Sequence, residues 1–237
     1  MKLMTDGITD VDSWFEKAPP MGGEKQWRDG RSAKELARYM TEKYPCMPME
    51  LEKLLLNFTD AGACFDMKAE YVTDLAAYGL GRGEGRNHDA FLFGKDVVVG
   101  IEGKADESLG EQYVAEAYAD ASDNKKHRID GMVDMLYGVD TAPESLFGIR
   151  YQLLTASAAT LLEANSKKSD TAVLVVLVFK KRGCFSDVKI RQNNDDIDTF
   201  LKSINAFEYN DCYAVPTSYG KQNGIRFYFK KIEIDVT

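Results

Sequence analysis

The stretch that decides the fold is NHDAFLFGKDVVVGIEGKA, residues 87–105. Two runs rich in aromatic and β-branched residues, FLF and VVVGI, are separated by a short polar connection, and such runs favour β-strands. Gly94 stands at the first central position of a two-residue connection with Lys95, as is typical of a type II′ hairpin turn. We therefore predict two antiparallel strands joined at Gly94-Lys95.

This turn also predicts which residues of the hairpin face each other. Phe91 would face Val98, and Asp89 would face Gly100. Residues directly opposite share a face of the sheet, and so do residues two apart along one strand. The residues expected on one side are Asp89, Gly100, Glu102 and Lys104, with the two carboxylates diagonal to each other and Gly100 leaving space beside them. A slip of one residue would destroy this arrangement.

Length and composition place the chain among ordinary globular proteins. Its 237 residues are 44% hydrophobic and 29% charged, and they are enough for one large domain with a full core. No apolar run approaches the ~18–20 residues that span a membrane. The first residues lack the apolar segment of a secretory signal. We therefore expect a soluble, cytoplasmic protein.

Cysteines, histidines and net charge limit the chemistry. The four cysteines show no C-x-x-C spacing and only two histidines are present, which excludes a zinc ribbon, a redox motif and a histidine-rich zinc site. Catalysis would therefore rest on carboxylates, lysines or a metal ion. The formal charge of −8 argues against indiscriminate binding to nucleic acid. It remains compatible with a local basic groove around carboxylates that hold a cation.

The rest of the chain predicts a mixed sheet with helices packed on it. Helices are expected at 32–44, 48–58, 107–121, 129–137, 143–165 and 197–207, and further strands at 71–75, 171–179, 213–216 and 225–234. The strand at 171–179 is the most apolar and should be central and buried on both faces. We expect residues 1–60 to form a helical extension, irregular up to about residue 30, packed on an α/β domain of residues 61–237.

Spacing alone does not identify a site in this sequence. An acidic residue two positions before a lysine occurs at 66/68, 102/104, 123/125 and 187/189. The strongest competitor is the pair at 187/189, because residues 186–191 could form a strand. Only the pair at 102/104 combines a tight turn, an upstream acid on the same face and an apolar strand. The alternative is that these charges form a surface salt bridge, although charges ending an apolar strand are costly unless they are paired or metal-bound.

Two carboxylates and a lysine on one sheet face suit metal-assisted phosphodiester hydrolysis. Mg²⁺, or Mn²⁺ in its place, prefers oxygen ligands, and the expected ligands are Asp89, Glu102 and the carbonyl of Gly103. The cation would polarise the scissile phosphate and lower the pKa of a bound water. Lys104 would orient that water and stabilise the developing negative charge.

These residues resemble the motif of the PD-(D/E)XK nuclease superfamily, whose restriction-endonuclease-like core is a helix, three strands, a helix and a further strand. The chain from about residue 65 to 179 follows that order. The runs EYVT at 70–73, IEGK at 101–104 and RYQLL at 150–154 also resemble an uncharacterised bacterial subgroup. His88 replaces the proline of the motif, at a position that varies widely. The resemblance implies a Mg²⁺-dependent nuclease, with DNA a better candidate substrate than RNA.

The resemblance also implies further site residues. An acidic residue from an earlier element often joins the motif in the superfamily, and Glu70 is the first candidate, with Glu35 the second. The alternative for Glu70 is a solvated strand edge. Some members carry a glutamine on a later helix, a role that Gln152 could fill. The tyrosine that those members place four residues later is Ala156 in this sequence.

Two arginines are candidates for contact with substrate phosphate. Arg86 is the last residue of a glycine-rich segment, residues 78–86, that lacks the strand and helix expected around a nucleotide-binding loop. Arg150 could meet a phosphate or pair with Glu144 or Glu163 on the surface. His88 is expected to be a packed or surface imidazole rather than a base.

Two functions therefore stay open. One is the nuclease, and the other is a non-catalytic binding or regulatory module on the same fold. A basic groove around the triad would favour the nuclease, and its expected members are Arg82, Arg86, Lys125, Lys126, Arg128 and Arg150. An acidic, closed site would favour a small phosphate-bearing substrate or no catalysis. A homodimer is compatible with a nuclease that cuts both strands, although the sequence identifies no interface.

Overall fold

The computed structural model describes residues 1–119, 121–181 and 186–236, and these form an α/β fold. The strands are β1 (Lys2–Met4), β2 (Cys64–Thr73), β3 (Arg86–Phe93), β4 (Val97–Lys104), β5 (Thr171–Lys180), β6 (Phe207–Tyr209), β7 (Cys212–Val215) and β8 (Arg226–Asp235). The helices are α1 (Val11–Lys17), α2 (Ser32–Thr41), α3 (Met49–Leu55), α4 (Val114–Ala119), α5 (Asp123–Tyr137), α6 (Tyr151–Ser166), α7 (Asp187–Ser203) and α8 (Ser218–Asn223). The predicted fold class, a mixed sheet flanked by helices, is confirmed.

The described strands form one eight-stranded sheet in the order β1-β2-β3-β4-β5-β8-β7-β6. Strands β2, β3 and β4 form an antiparallel meander, whereas β4, β5 and β8 run parallel to one another. The carboxyl ends of β4, β5 and β8 therefore meet at one edge of the sheet. The candidate site lies at this edge, where β4 ends at Lys104.

Strand β5 is central and buried on both faces, as its composition predicts. Residues 171–179 are all buried, because alternate side chains enter two different cores. Val176 packs in the core that includes α5 and α6, whereas Val175 packs in the core that includes α2 and α3. A strand covered on both sides needs apolar residues at every position, since neither face meets water.

The hairpin turn lies one residue later than predicted. The Gly94 N–H donates to the Val97 carbonyl at 2.9 Å, so the two central residues are Lys95 and Asp96. Phe93 consequently faces Val98, and the predicted register is wrong by two residues. An even shift preserves the alternation of faces along the paired part of the hairpin. The same shift places Phe91, and not Asp89, opposite Gly100.

The N-terminal segment packs against the sheet and also contributes a strand to it. Leu3 of β1, Trp14 of α1 and Leu36 of α2 share one core with Val99 of β4. Strand β1 pairs in parallel with β2 at the edge of the sheet. The expectation of an irregular lead-in up to about residue 30 is therefore wrong for β1 and α1.

Several predicted elements differ in extent from the structure: the strand expected at 71–75 starts at Cys64, and the helices expected at 129–137 and 197–207 start at Asp123 and Asp187. The helix expected at 107–121 is confined to α4, because the preceding residues form a loop tied to α7. In that loop the Leu109 N–H donates to Asn193 Oδ1 at 2.9 Å, and Asn193 Nδ2 donates to the Glu107 carbonyl at 2.8 Å. The long helix expected at 143–165 starts only at Tyr151. The alternative strand at 186–191 belongs to helix α7.

Candidate carboxylate site at the end of the hairpin

A cavity of about 490 Å³ lies where β3 begins, β4 ends and α6 begins. Residues proposed for the site from the sequence line it together: Glu70, Arg86, Asp89, Glu102, Lys104 and Gln152. They come from three adjacent strands and the first turn of α6. The wall opposite the strands comes from the N-terminal segment and includes Lys25 and Arg31. The sequence carries no local signal that would have indicated these two residues.

Glu102 is the most enclosed carboxylate of the cavity, with 2% of its surface exposed. Its Oε1 pairs with Arg86 Nη2, and its Oε2 accepts a hydrogen bond from Gln152 Nε2 at 2.6 Å. Burial, opposed by the charge of Arg86 and reinforced by the nearby charge of Asp89, raises the pKa of Glu102 to about 7. Both carboxylate oxygens are therefore already bonded within the chain.

Asp89 and Glu102 approach the cavity from opposite faces of the C-terminal end of β4. Asp89 Oδ2 accepts the Gly103 N–H at 2.7 Å, on the side where Leu36 and Phe179 pack near Gly103. Glu102 points instead toward α6. The last pair in the β3–β4 register is Ala90 with Ile101, so regular alternation need not extend to Asp89. The prediction that the two carboxylates project from one face is therefore wrong, although both line the same cavity.

Glu70 is held in the cavity by an unusual backbone conformation. Its φ of +47° lies in the left-handed region, within β2 and between two regular pairs with β3. Such a conformation costs a non-glycine residue about 1–3 kcal/mol and is common at functional sites. Glu70 Oε2 accepts a hydrogen bond from Asn87 Nδ2 at 2.7 Å. Burial, followed by the charge of Asp89, raises the pKa of Glu70 to about 7.

Lys104 ends β4 with its side chain in the cavity and only 8% of its surface exposed. None of the residues that the structure describes forms a hydrogen bond or an ion pair with its ammonium group. Its charge nevertheless acts on Glu102, whose pKa it lowers. A buried lysine is costly unless its charge is compensated. The carboxylates around the cavity provide that compensation without a direct bond, which leaves the ammonium group available to a ligand.

Gly100 does not leave open space beside the carboxylates, contrary to expectation. A Cβ at this position would lie 2.4 Å from Thr160 Oγ1 of α6 and 3.1 Å from His88 Nε2. Glycine is required here because helix α6 packs directly on β4. His88 is fully buried and lies 3.5 Å from Thr160 Oγ1, and burial holds its pKa well below the ordinary value. It is a neutral, packed imidazole.

Three buried oxygen atoms that line the cavity lack a hydrogen-bond partner among the described residues: Asn87 Oδ1, Glu107 Oε1 and Gln152 Oε1. Oxygen donors of this kind, together with the carboxylates, form the ligand set that Mg²⁺ prefers. The donor chemistry of the cavity therefore fits a hard divalent cation. As placed, the described residues contain no group of three or more Asp, Glu, His or Cys side chains preassembled for a metal ion.

Two residues considered from the sequence lie outside this cavity. Arg150 is buried and its Nε donates to Asp196 Oδ2 at 2.6 Å, so it neither reaches the cavity nor pairs with Glu144 or Glu163. This ion pair corrects both alternatives for Arg150. Glu35 accepts the Gly30 N–H at 2.7 Å and lines a neighbouring cavity.

Most cations expected to form a basic groove are bound within the chain. Arg128 donates to the Leu80 and Glu84 carbonyls, while Lys125 and Lys126 lie over the rings of Tyr151 and Tyr118. As described above, Arg86 and Arg150 bind carboxylates. The expected groove is therefore not assembled from these residues as the structure places them.

The fold and the site define a class: an α/β protein with carboxylates and Lys104 gathered in a cavity at the open end of a hairpin. A family model described as a domain of unknown function (DUF6946) matches residues 7–236, and the chain belongs to that family. No curated protein and no solved structure matches the chain. Within the described ranges, no helix combines the length and apolarity needed to cross a membrane.

Proposed function

We propose that this protein is a Mg²⁺- or Mn²⁺-dependent nuclease built on a restriction-endonuclease-like core, with DNA favoured over RNA as substrate. The observation that carries the proposal is Lys104, a largely buried lysine that lines the cavity with Glu102 and Asp89 and whose ammonium group has no bonding partner among the described residues. The order of a helix, the β2–β3–β4 meander, further helices and parallel strand β5 is compatible with that core.

The cation would be held by Asp89, Glu102 and the Gly103 carbonyl. When bound, it supplies Lewis-acid polarisation of the phosphate and a more acidic water. The raised pKa values of Glu70 and Glu102 support this assignment, because carboxylates that are buried and lie near other carboxylates favour either a proton or a cation. Glu70 adds negative charge at the same cavity.

The roles of the remaining groups follow from their positions. Lys104 Nζ is free to donate hydrogen bonds to a phosphate oxygen and to the attacking water, and its charge opposes the negative charge that develops. Gln152 holds the second oxygen of Glu102 and thereby orients this carboxylate. The low dielectric of the protein interior around these side chains strengthens each of these electrostatic interactions.

A non-catalytic binding or regulatory module is the second candidate. It is favoured by the two bonds that already engage Glu102 and by the cations that are bound within the chain instead of lining a groove. In this function the cavity would bind a phosphate-bearing ligand through Lys104 without hydrolysing it.

A metal-dependent nuclease assay on single- and double-stranded DNA and RNA tests the proposal. Lys104→Ala and Glu102→Ala should each reduce cleavage by about 100-fold or more, as expected when a group that stabilises developing charge is lost. Lys68→Ala is the matched control. Lys68 also follows an acid by two residues on a strand, but its partners are Asp6 and Asp66 at the surface.

Three results discriminate between the candidates. Cleavage that survives Lys104→Ala, or cleavage equally weakened by Lys68→Ala, would remove the assigned chemistry. Oligonucleotide binding by the wild-type protein without cleavage of any substrate, in either cation, would favour the binding module. If the wild-type protein shows neither oligonucleotide binding nor cleavage, the nuclease and a nucleic-acid-binding module are both refuted.

The proposal includes a cytoplasmic location and a homodimer for cutting both strands of a duplex. The free thiols of Cys46, Cys64 and Cys212 support a reducing compartment. Cys184 lies outside the described residues. Sedimentation with and without duplex DNA tests the dimer, and a monomer under both conditions would contradict it.

A further inference from the structure

Arg86 binds one of the two carboxylate oxygens of Glu102 that are available to ligate a cation. Its Nη2 pairs with Glu102 Oε1, and these side chains are 17% and 2% exposed. Gln152 Nε2 bonds the other oxygen at 2.6 Å. The guanidinium disfavours a cation at Oε1 while it remains there, because two positive centres would share one oxygen at close range.

The guanidinium of Arg86 is poorly satisfied where it lies. An arginine offers five N–H donors, and buried donors without acceptors are costly. Within the described part of the chain, Arg86 Nε is buried and has no hydrogen-bond partner. The pair with Glu102 therefore leaves part of the guanidinium unsatisfied, and a ligand that offers more acceptors can compete with Glu102 for it.

The backbone around Arg86 is fixed, so the side chain is the part that can move. Arg86 pairs with Thr73 in the β2–β3 register. The preceding loop is tied to α5, where Arg128 donates to the Leu80 and Glu84 carbonyls and Asn124 Oδ1 accepts the Arg82 N–H. Arg86 can thus turn about its side-chain bonds without rearranging the loop.

We propose that Arg86 is a positioning residue that exchanges with the cation: it holds Glu102 in the cation-free protein and, once displaced, binds a phosphate of the substrate strand. This inference rests on the proposed function. A guanidinium matches a phosphate with two parallel hydrogen bonds, which satisfies donors that the Glu102 pair leaves unused. Loading of the cation and binding of the strand are then coupled through one side chain.

The first experiment measures cation affinity by calorimetric titration of Mn²⁺ into the protein without nucleic acid. Arg86→Gln removes the competing charge and should tighten binding by about tenfold, within the usual range of coupling between two sites. Arg82→Gln is the matched control, because it removes an arginine four residues earlier in the same loop. Its affinity should equal that of the wild-type protein.

The second experiment measures affinity for a fluorescent single-stranded oligonucleotide, by anisotropy, with Ca²⁺ or with EDTA. With Ca²⁺ the Arg86 side chain is released to the phosphate, so Arg86→Gln should weaken binding by about tenfold, as for loss of a charged hydrogen bond. With EDTA the side chain is held by Glu102, and the same substitution should change affinity less than about twofold. Simple loss of surface charge would weaken binding equally in both conditions.

The outcomes separate this inference from the nuclease proposal. Unchanged or weaker Mn²⁺ binding by Arg86→Gln, or an equal effect on oligonucleotide affinity with Ca²⁺ and EDTA, overturns the exchange. If cleavage still depends on Lys104 in that case, the nuclease proposal stands alone. If the exchange is observed while the wild-type protein cleaves no substrate, the exchange stands and the nuclease proposal fails.

Discussion

Two arginine–carboxylate pairs with buried carboxylates, Arg150–Asp196 and Arg86–Glu102, differ in how completely their hydrogen-bonding groups are used. Arg150 donates to Asp196 Oδ2 and to the Gly110 carbonyl, and it stacks on the Tyr113 ring with its Cζ 3.9 Å from the centroid. Tyr113 also donates to Asp196 Oδ1. The Arg150 guanidinium and both oxygens of Asp196 are therefore engaged within the chain, which is typical of a structural ion pair.

The pair between Arg86 and Glu102 is incomplete by comparison. Arg86 Nε has no acceptor among the described residues, Lys104 stands beside the pair without a bond, and Gln152 leaves its Oε1 unused. Buried polar groups without partners destabilise the folded state. They are retained where a ligand provides the missing hydrogen bonds. A buried charge alone does not indicate a binding site. A buried charge surrounded by hydrogen-bonding groups that lack partners does indicate one.

The largest expected effect on stability comes from breaking the complete pair. Arg150→Met leaves Asp196 buried without its counter-charge and should lower the free energy of unfolding by about 3–5 kcal/mol. Urea denaturation monitored by circular dichroism measures it. The double substitution Arg150→Met with Asp196→Leu should recover part of the loss. A loss below about 1 kcal/mol for the single variant would mean that the pair is not structural in this sense.

An intermediate effect is expected from pH, because the pKa values of Glu70 and Glu102 are raised to about 7 from an ordinary value of 4.5. Between these two values the folded state binds more protons than the unfolded state, so stability falls as pH rises through this window. Glu70→Gln in EDTA should remove about 2 kcal/mol of that fall. Denaturation midpoints at a series of pH values measure the effect.

The control for the pH experiment is Glu16→Gln on the exposed face of α1, which should leave the slope of stability with pH unchanged. A Glu70→Gln slope identical to that of the wild-type protein would contradict the crowding of carboxylates at the cavity. Saturating Mn²⁺ should flatten the wild-type slope as well, because a cation replaces the protons.

The smallest effect is expected from Lys104→Met. Lys104 lacks a bonding partner among the described residues, so its replacement by an apolar side chain of similar length should change stability by less than about 1 kcal/mol. The same variant should lose cleavage, as Lys104→Ala does. A stability loss as large as that of Arg150→Met would show that Lys104 is a structural residue like Arg150.

Particular residues show why the site was only partly predictable. The turn was predicted at Gly94-Lys95 and is observed at Lys95-Asp96. Gly94 is required for close packing and not for turn geometry, because a Cβ at this position would lie 2.6 Å from Phe65 of β2. Likewise Gly100 accommodates α6 and not a ligand. A glycine has the same appearance in the sequence whether it serves a turn, a helix contact or an open cavity.

The sequence by itself determined the hairpin, the buried central strand and the gathering of Glu70, Asp89, Glu102, Lys104 and Gln152 as candidates. The hairpin, the strand and the candidates Asp89, Glu102 and Lys104 rest on local composition and on the alternation of side chains along strands, which short segments encode. Glu70 and Gln152 were implied only by the resemblance to the nuclease superfamily. Only the tertiary structure decided which carboxylates Arg86 and Arg150 bind and from which face of the sheet Asp89 approaches the cavity. Arg150 meets Asp196, 46 positions away, and Arg86 meets Glu102 across a hairpin. Such pairings depend on which elements the fold brings together, and no local pattern specifies them.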